Sequence, residues 1–190
     1  MHLRHLIPCL ALFVSAALVA AEPALELPAL DGQKHTPLVT GAKKASVLFF
    51  VSPFCSTTKA FMKEINAIAA DYADRATVYV VHSDPEITKE VAMEHTVISE
   101  VKATTTVLLD KEQALAKQVQ AKITPEAVVV GADGKTLYKG RINDLYLGPT
   151  KRQRAATTKD LRDALDAILA GKPVSEPQAE AQGCKIGGMK

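Results

Sequence analysis

Val47-Leu-Phe-Phe-Val-Ser-Pro-Phe-Cys-Ser-Thr-Thr-Lys-Ala-Phe61 reads as an apolar strand that empties through a short turn into an amphipathic helix with a cysteine at its mouth. The continuous β-rich run Ser46 to Val51 suits a strand buried on both faces. Phe61, Ile65, Ile68 and Tyr72 then recur at helical spacing, which predicts a helix over 56–72. A helix N-terminus carries unpaired N–H groups and a partial positive charge, so a thiol held there loses its proton more easily. Cys55 is therefore a candidate nucleophile, with a buried structural cysteine as the other reading.

Outward from this stretch, Thr77 to Val81 predicts a second strand, and Asp84-Pro85 predicts a helix through His95 with Ile87 and Val91 inward. Thr105 to Leu109 predicts a strand. Asp110 should cap a helix over 111–121 with Leu115 and Val119 inward. Ala127 to Val130 and Thr136 to Tyr138 flank Gly131-Ala-Asp-Gly134, a hairpin signal. A capping-box pattern from Thr157 to Asp160 should open a last helix bearing Leu161, Leu165, Ile168 and Leu169, stopped by Gly171. Alternating strands and helices closed by a hairpin and a helix imply an α/β fold, a mixed central sheet flanked by helices.

Residues 1–21 read as an export signal: Arg4 gives a basic start, Leu10 to Ala20 is an apolar core too short to span a bilayer, and Val19-Ala20-Ala21 supplies small residues for cleavage. An uncleaved anchor is the competing reading. Residues 22–171 would form one domain, and 172–190 an extended tail carrying Cys184. These features predict an exported protein, periplasmic or extracellular, with no stable membrane span after cleavage. In an oxidising compartment its two remaining cysteines are either a pair or a nucleophile and a bystander. The chain's net charge of +2 argues against a nucleic-acid partner. The cluster Lys151-Arg152-Gln-Arg154 reads as a solvated loop. His35, His82 and His95 lack paired spacing, so no metal or other cofactor is expected.

Three passages resemble thioredoxin-like redoxins of the alkyl hydroperoxide reductase/thiol-specific antioxidant and exported thiol-disulfide oxidoreductase group. Phe49 to Lys59 lines up with the strand, aromatic, Cys-x-x-Cys, Lys sequence of that group; Ile123-Thr-Pro-Glu-Ala127 is similar to its Thr-Pro dipeptide; Val128 to Arg141 matches the strand, Asp-Gly turn and returning strand that follow. The resemblance implies a thioredoxin-like fold, a cis proline at Pro125 facing Cys55, and substrate binding by Thr124 and Pro125. Thr58 stands where the second cysteine of the motif would be, with a hydroxyl able to support a Cys55 thiolate. Ser52 and Cys55 match half of the peroxiredoxin Pro-x-x-x-Thr/Ser-x-x-Cys pattern, but Leu48 replaces the proline, and Arg141 follows the hairpin where the peroxiredoxin arginine precedes it.

Gln182-Gly-Cys-Lys-Ile-Gly187 resembles a Gly-Cys-x-Ile tail found after this domain in some exported bacterial redoxins. An extended tail from Gly171 could span roughly 40 Å, enough for Cys184 to reach Cys55. The resulting expectation is an extracytoplasmic thiol-disulfide oxidoreductase in which Cys55 attacks a protein disulfide and Cys184 or an external thiol resolves it, with electrons exchanged with an external donor. The alternatives are a thiol peroxidase in which peroxide oxidises Cys55, and a redox-inactive binding module of the same fold.

Overall fold

The computed structural model describes residues 24–189, so the expected signal segment lies outside the described residues. In chain order the elements are β1 Leu27–Pro28, β2 Lys34–His35, β3 Ala45–Val51, α1 Ser56–Asp71, β4 Ala76–His82, α2 Lys89–Ile98, β5 Thr106–Leu109, α3 Ala114–Gln118, β6 Ile123–Thr124, β7 Glu126–Gly131, β8 Thr136–Gly140, β9 Tyr146–Gly148, β10 Lys151–Arg152, α4 Asp160–Leu169, β11 Gln178–Ala179 and β12 Cys184–Lys185. Six strands form the main sheet in the order β11-β8-β7-β3-β4-β5. β3, β4 and β5 run parallel, β7 is antiparallel to β3, β8 to β7, and β11 lies parallel to β8. The expected mixed sheet is present, and its sixth strand comes from the tail.

β3 lies between β4 and β7, and all seven of its residues are buried, which is why its sequence does not alternate. Val47, Phe49 and Val51 face one core with Phe61, Met62, Ile65 and Ile68 of α1 and Leu161 and Leu165 of α4. Leu48 and Phe50 face a second core with Leu115, Ala116, Val128, Val130 and, from the tail, Ile186. Burial on both faces holds β3 rigidly and fixes where its carboxyl end delivers the following turn.

Several boundaries differ from expectation. α2 begins at Lys89, where Thr88 accepts a hydrogen bond from Val91 N–H, because Asp84 folds its carboxylate onto Glu86 N–H in a turn of its own. Its inward residues are Ala92 and His95, while Val91 is half-buried. α3 is confined to 114–118; Asp110 caps it from a distance, accepting from Leu115 and Ala116 N–H, and the intervening chain passes through a left-handed Gln113. The expected capping box at α4 does not form, since Thr157 donates to Asp144 instead and the helix starts at Asp160. Lys151 and Arg152 are exposed, as expected, but in a two-stranded ribbon with β9. Among the described residues no helix is long and apolar enough to cross a membrane.

Candidate active site

At the end of β3 the chain turns through Ser52, Pro53 and Phe54, with Cys55 N–H donating to Ser52 carbonyl and Phe54 N–H to Ser52 Oγ. Cys55 is the residue that caps α1 at its N-terminus, and its own carbonyl accepts from Lys59 N–H, so the helix begins directly on the cysteine. Cys55 is only 2% exposed, whereas Phe54 beside it is 69% exposed. As a thiol, Cys55 Sγ donates to the carbonyl of Thr124 at 3.1 Å. The peptide bond between Thr124 and Pro125 is cis.

Cys184 is brought to the same place by backbone pairing. β12 lies antiparallel to β6 with Cys184 opposite Thr124 and Lys185 opposite Ile123. Thr124 Oγ1 donates to the Cys184 carbonyl at 3.3 Å, and Ile186 N–H donates to the Lys122 carbonyl at 2.9 Å. Both thiols are free; Cys55 is buried and Cys184 exposed.

The two sulfurs have opposite electrostatics. Burial opposes ionisation of Cys55, but hydrogen bonds from the Cys184 thiol, the Thr58 and Cys184 N–H groups and the Thr124 side chain outweigh it and hold Cys55 below the ordinary thiol value. Partial desolvation beside the site, the hydrogen bond to Cys55 and the negative charge that develops there push Cys184 up to about 11. The arrangement can hold one thiolate, on Cys55, with a protonated thiol donating to it. Thr58 supports this through its backbone N–H; its hydroxyl accepts from Ser52 N–H at 3.3 Å and ties the helix back to the end of β3.

The structure thus gathers Cys55, Thr58, Thr124, Pro125 and Cys184 around one sulfur. Sequence reasoning missed Glu126, whose buried carboxylate accepts from Lys122 N–H at 2.8 Å and braces the bend before Pro125. A glutamate directly after the Thr-Pro dipeptide in an otherwise apolar strand was the available signal. His82 and His95, weighed in the sequence only as metal ligands, meet ring edge to face at 5.2 Å. Burial and the neighbouring His95 push His82 down to about 3, and burial lowers His95, so both rings are neutral and pack as core. Arg141 pairs with Asp160 at 2.8 Å. Among the described residues no group of three or more His, Cys, Asp or Glu side chains is placed to hold a metal ion.

Known structures of similar shape support the fold. An uncharacterized conserved protein of Geobacillus kaustophilus is 26% identical, with a TM-score of 0.72 over 86% of this chain and 88% of its own. A hypothetical protein of Sinorhizobium meliloti 1021 is 25% identical, with a TM-score of 0.73 over 90% of this chain and 94% of its own. A secreted Mycobacterium tuberculosis disulfide oxidoreductase homologous to E. coli DsbE is 18% identical, with a TM-score of 0.53 over 77% of this chain and 95% of its own, a likeness of fold. No curated protein matches the sequence. The AhpC/TSA family model matches residues 20–139, a span that holds β3, Cys55, α1 and the Thr124-Pro125 bend; the chain belongs to the AhpC/TSA family, on a thioredoxin-like fold.

Proposed function

We propose that the protein is an extracytoplasmic thiol-disulfide oxidoreductase with Cys55 as nucleophile and Cys184 as resolving thiol. The observation that carries this reading is the pairing of β12 with β6, in which Cys184 lies opposite Thr124, the residue whose carbonyl accepts from Cys55 Sγ. Cys55 thiolate attacks one sulfur of a partner disulfide, forming a mixed disulfide and expelling the other partner sulfur as thiolate. Cys184, once deprotonated, attacks Cys55 Sγ, forms the Cys55–Cys184 disulfide and releases the second partner thiolate. Two electrons have then passed from the protein to the partner, and an external thiol returns them. The apolar segment ahead of Val19-Ala20-Ala21 supports the exported location.

Differential alkylation with mass spectrometry tests this on purified protein treated with oxidised glutathione. The expected product is a reversible Cys55–Cys184 bridge within one chain; Cys184→Ser should accumulate Cys55–glutathione adduct, and Cys55→Ser should form no intrachain bridge. Free alkylation of both thiols after oxidant would exclude the mechanism.

A second reading is favoured by the 2% exposure of Cys55, which a small oxidant tolerates better than a folded partner. Peroxide would convert the Cys55 thiolate to sulfenic acid, releasing the alcohol or water, and Cys184 would condense with it to the same disulfide with loss of water. Cys55 oxidation by peroxide no faster than that of a free thiol decides against it.

A further inference from the structure

The tail is docked with more sequence specificity than a loose resolving arm needs. Gly183 passes so close to β6 that a Cβ there would stand 2.1 Å from the Thr124 carbonyl oxygen. Cys184 follows, opposite Thr124. Lys185 is exposed and makes no demand on side-chain type. Ile186 is 4% exposed and completes the core that holds Leu48, Phe50, Leu115 and Val128. Beyond it Gln113 Nε2 donates to the Gly187 carbonyl. Each position imposes a separate physical requirement: no side chain, a thiol, any residue, an aliphatic residue. The tail also runs alongside Thr124, whose carbonyl accepts from the buried Cys55 thiol.

We propose that the edge of β6 that pairs with β12 is a docking site for an extended partner segment of the pattern Gly-Cys-x-aliphatic, and that the protein's own tail occupies it in the free chain as an internal copy of that segment. This rests on the exchange chemistry proposed for Cys55 and names the partner it fits. An incoming strand pairs its cysteine region with Thr124 in place of Cys184, adding to β6 by backbone hydrogen bonds and to the core by one aliphatic side chain. Cys55 thiolate attacks the partner disulfide and expels its other sulfur. Return of the tail then serves two purposes: Cys184 attacks the mixed disulfide at Cys55 Sγ, and β12 displaces the partner strand as its sulfur leaves. The closed edge also protects the Cys55 thiolate when no partner is present.

The test uses Cys184→Ser chains, with the tail docked or released by a second change. Ile186→Glu places a carboxylate in the core position, and Gly183→Val offers an independent release by colliding with Thr124. Probes are six-residue peptides whose cysteine carries a thionitrobenzoate leaving group, with the sequence Gly-Cys-Lys-Ile-Gly-Gly or with Val for the first Gly or Glu for Ile. In the released chains the parent peptide should react with Cys55 about tenfold faster than either altered peptide, and all three should be slow in the docked chain. Equal rates for the three peptides in a released chain would overturn the proposal. If Cys55 proves inert even to the small aromatic disulfide dithiobis(nitrobenzoate), the proposed function fails. The docking edge is then judged by hydrogen exchange on the unaltered chain with millimolar Gly-Ser-Lys-Ile-Gly-Gly: protection should fall at residues 184–186 and persist at 123–124. Unchanged tail protection under those conditions counts against the docking edge itself.

Discussion

A thiol at 2% exposure should ionise less readily than one in water, because burial penalises the charged form. At Cys55 the donors around the sulfur reverse that penalty, and they come from both ends of the chain: Thr58 on α1, Thr124 on β6 and Cys184 on β12. The contribution of Thr58 was misplaced by sequence reasoning, which assigned it to the hydroxyl. In the structure that hydroxyl accepts from Ser52 N–H, and the backbone N–H of Thr58 serves the sulfur. Thr58→Val therefore separates the two roles. It leaves Ser52 N–H without its acceptor, for a loss of about 1–2 kcal/mol of stability in denaturant titration, while the Cys55 titration followed by thiolate ultraviolet absorbance stays where it was. A rise in the Cys55 pKa in that variant would return the role to the hydroxyl.

Elements with a strong local signature were legible in sequence. The continuous apolar run of β3 and the four-three-four spacing of α1 gave their limits to within one residue, and with them the position of Cys55 at a strand-to-helix turn. α2 and α3 were misjudged because their starts are set by carboxylates ahead of the helix, Asp84 bonding Glu86 N–H in a turn of its own and Asp110 reaching across six residues to Ala116 N–H. β11 and β12 were illegible for another reason: two-residue strands have no periodicity, and their pairing is made by backbone. Their trace lies in the glycines. Gly140 has φ +151°, and a Cβ on it would stand 1.8 Å from the Ala179 carbonyl oxygen, so β8 can accept β11 only with glycine there. Gly140→Ala should force β11 off the sheet edge and cost about 1–3 kcal/mol. Hydrogen exchange should show the amides of Lys139 and Arg141, which donate to Pro177 and Ala179, losing protection. β12, anchored separately by Ile186, should keep its own. Collapse of protection in both strands would mean that the tail docks as one cooperative unit.

At the scale of the molecule the tail closes a circuit, joining the far edge of the sheet at β8 to the site beside Cys55 at its centre. An oxidised Cys55–Cys184 bridge would fix that circuit covalently and constrain most of the unfolded domain, an entropic stabilisation of about 4–5 kcal/mol for so long a loop. The reduced chain has its own source of stability in the Cys55 thiolate. Its folded pKa is lowered, so that stability is complete above the unfolded thiol value of about 8.5 and is lost as pH falls through the folded pKa. Cys184 works in the opposite sense: pushed up to about 11 in the folded chain, it favours folding below the unfolded value and withdraws that support as pH rises from about 8.5 toward 11. All other titrating groups are common to the two redox forms, so their pH dependence largely cancels in the difference between the melting temperatures. The oxidised chain should melt higher throughout, with the gap narrowing as pH rises from acid toward about 8.5 and widening again above it. Paired thermal melts across pH, with and without reductant, measure that curve. A gap that stays flat through neutral pH would show that Cys55 holds no stabilised thiolate, and a reduced form melting above the oxidised one would show that the bridge can form only by distorting the docked tail.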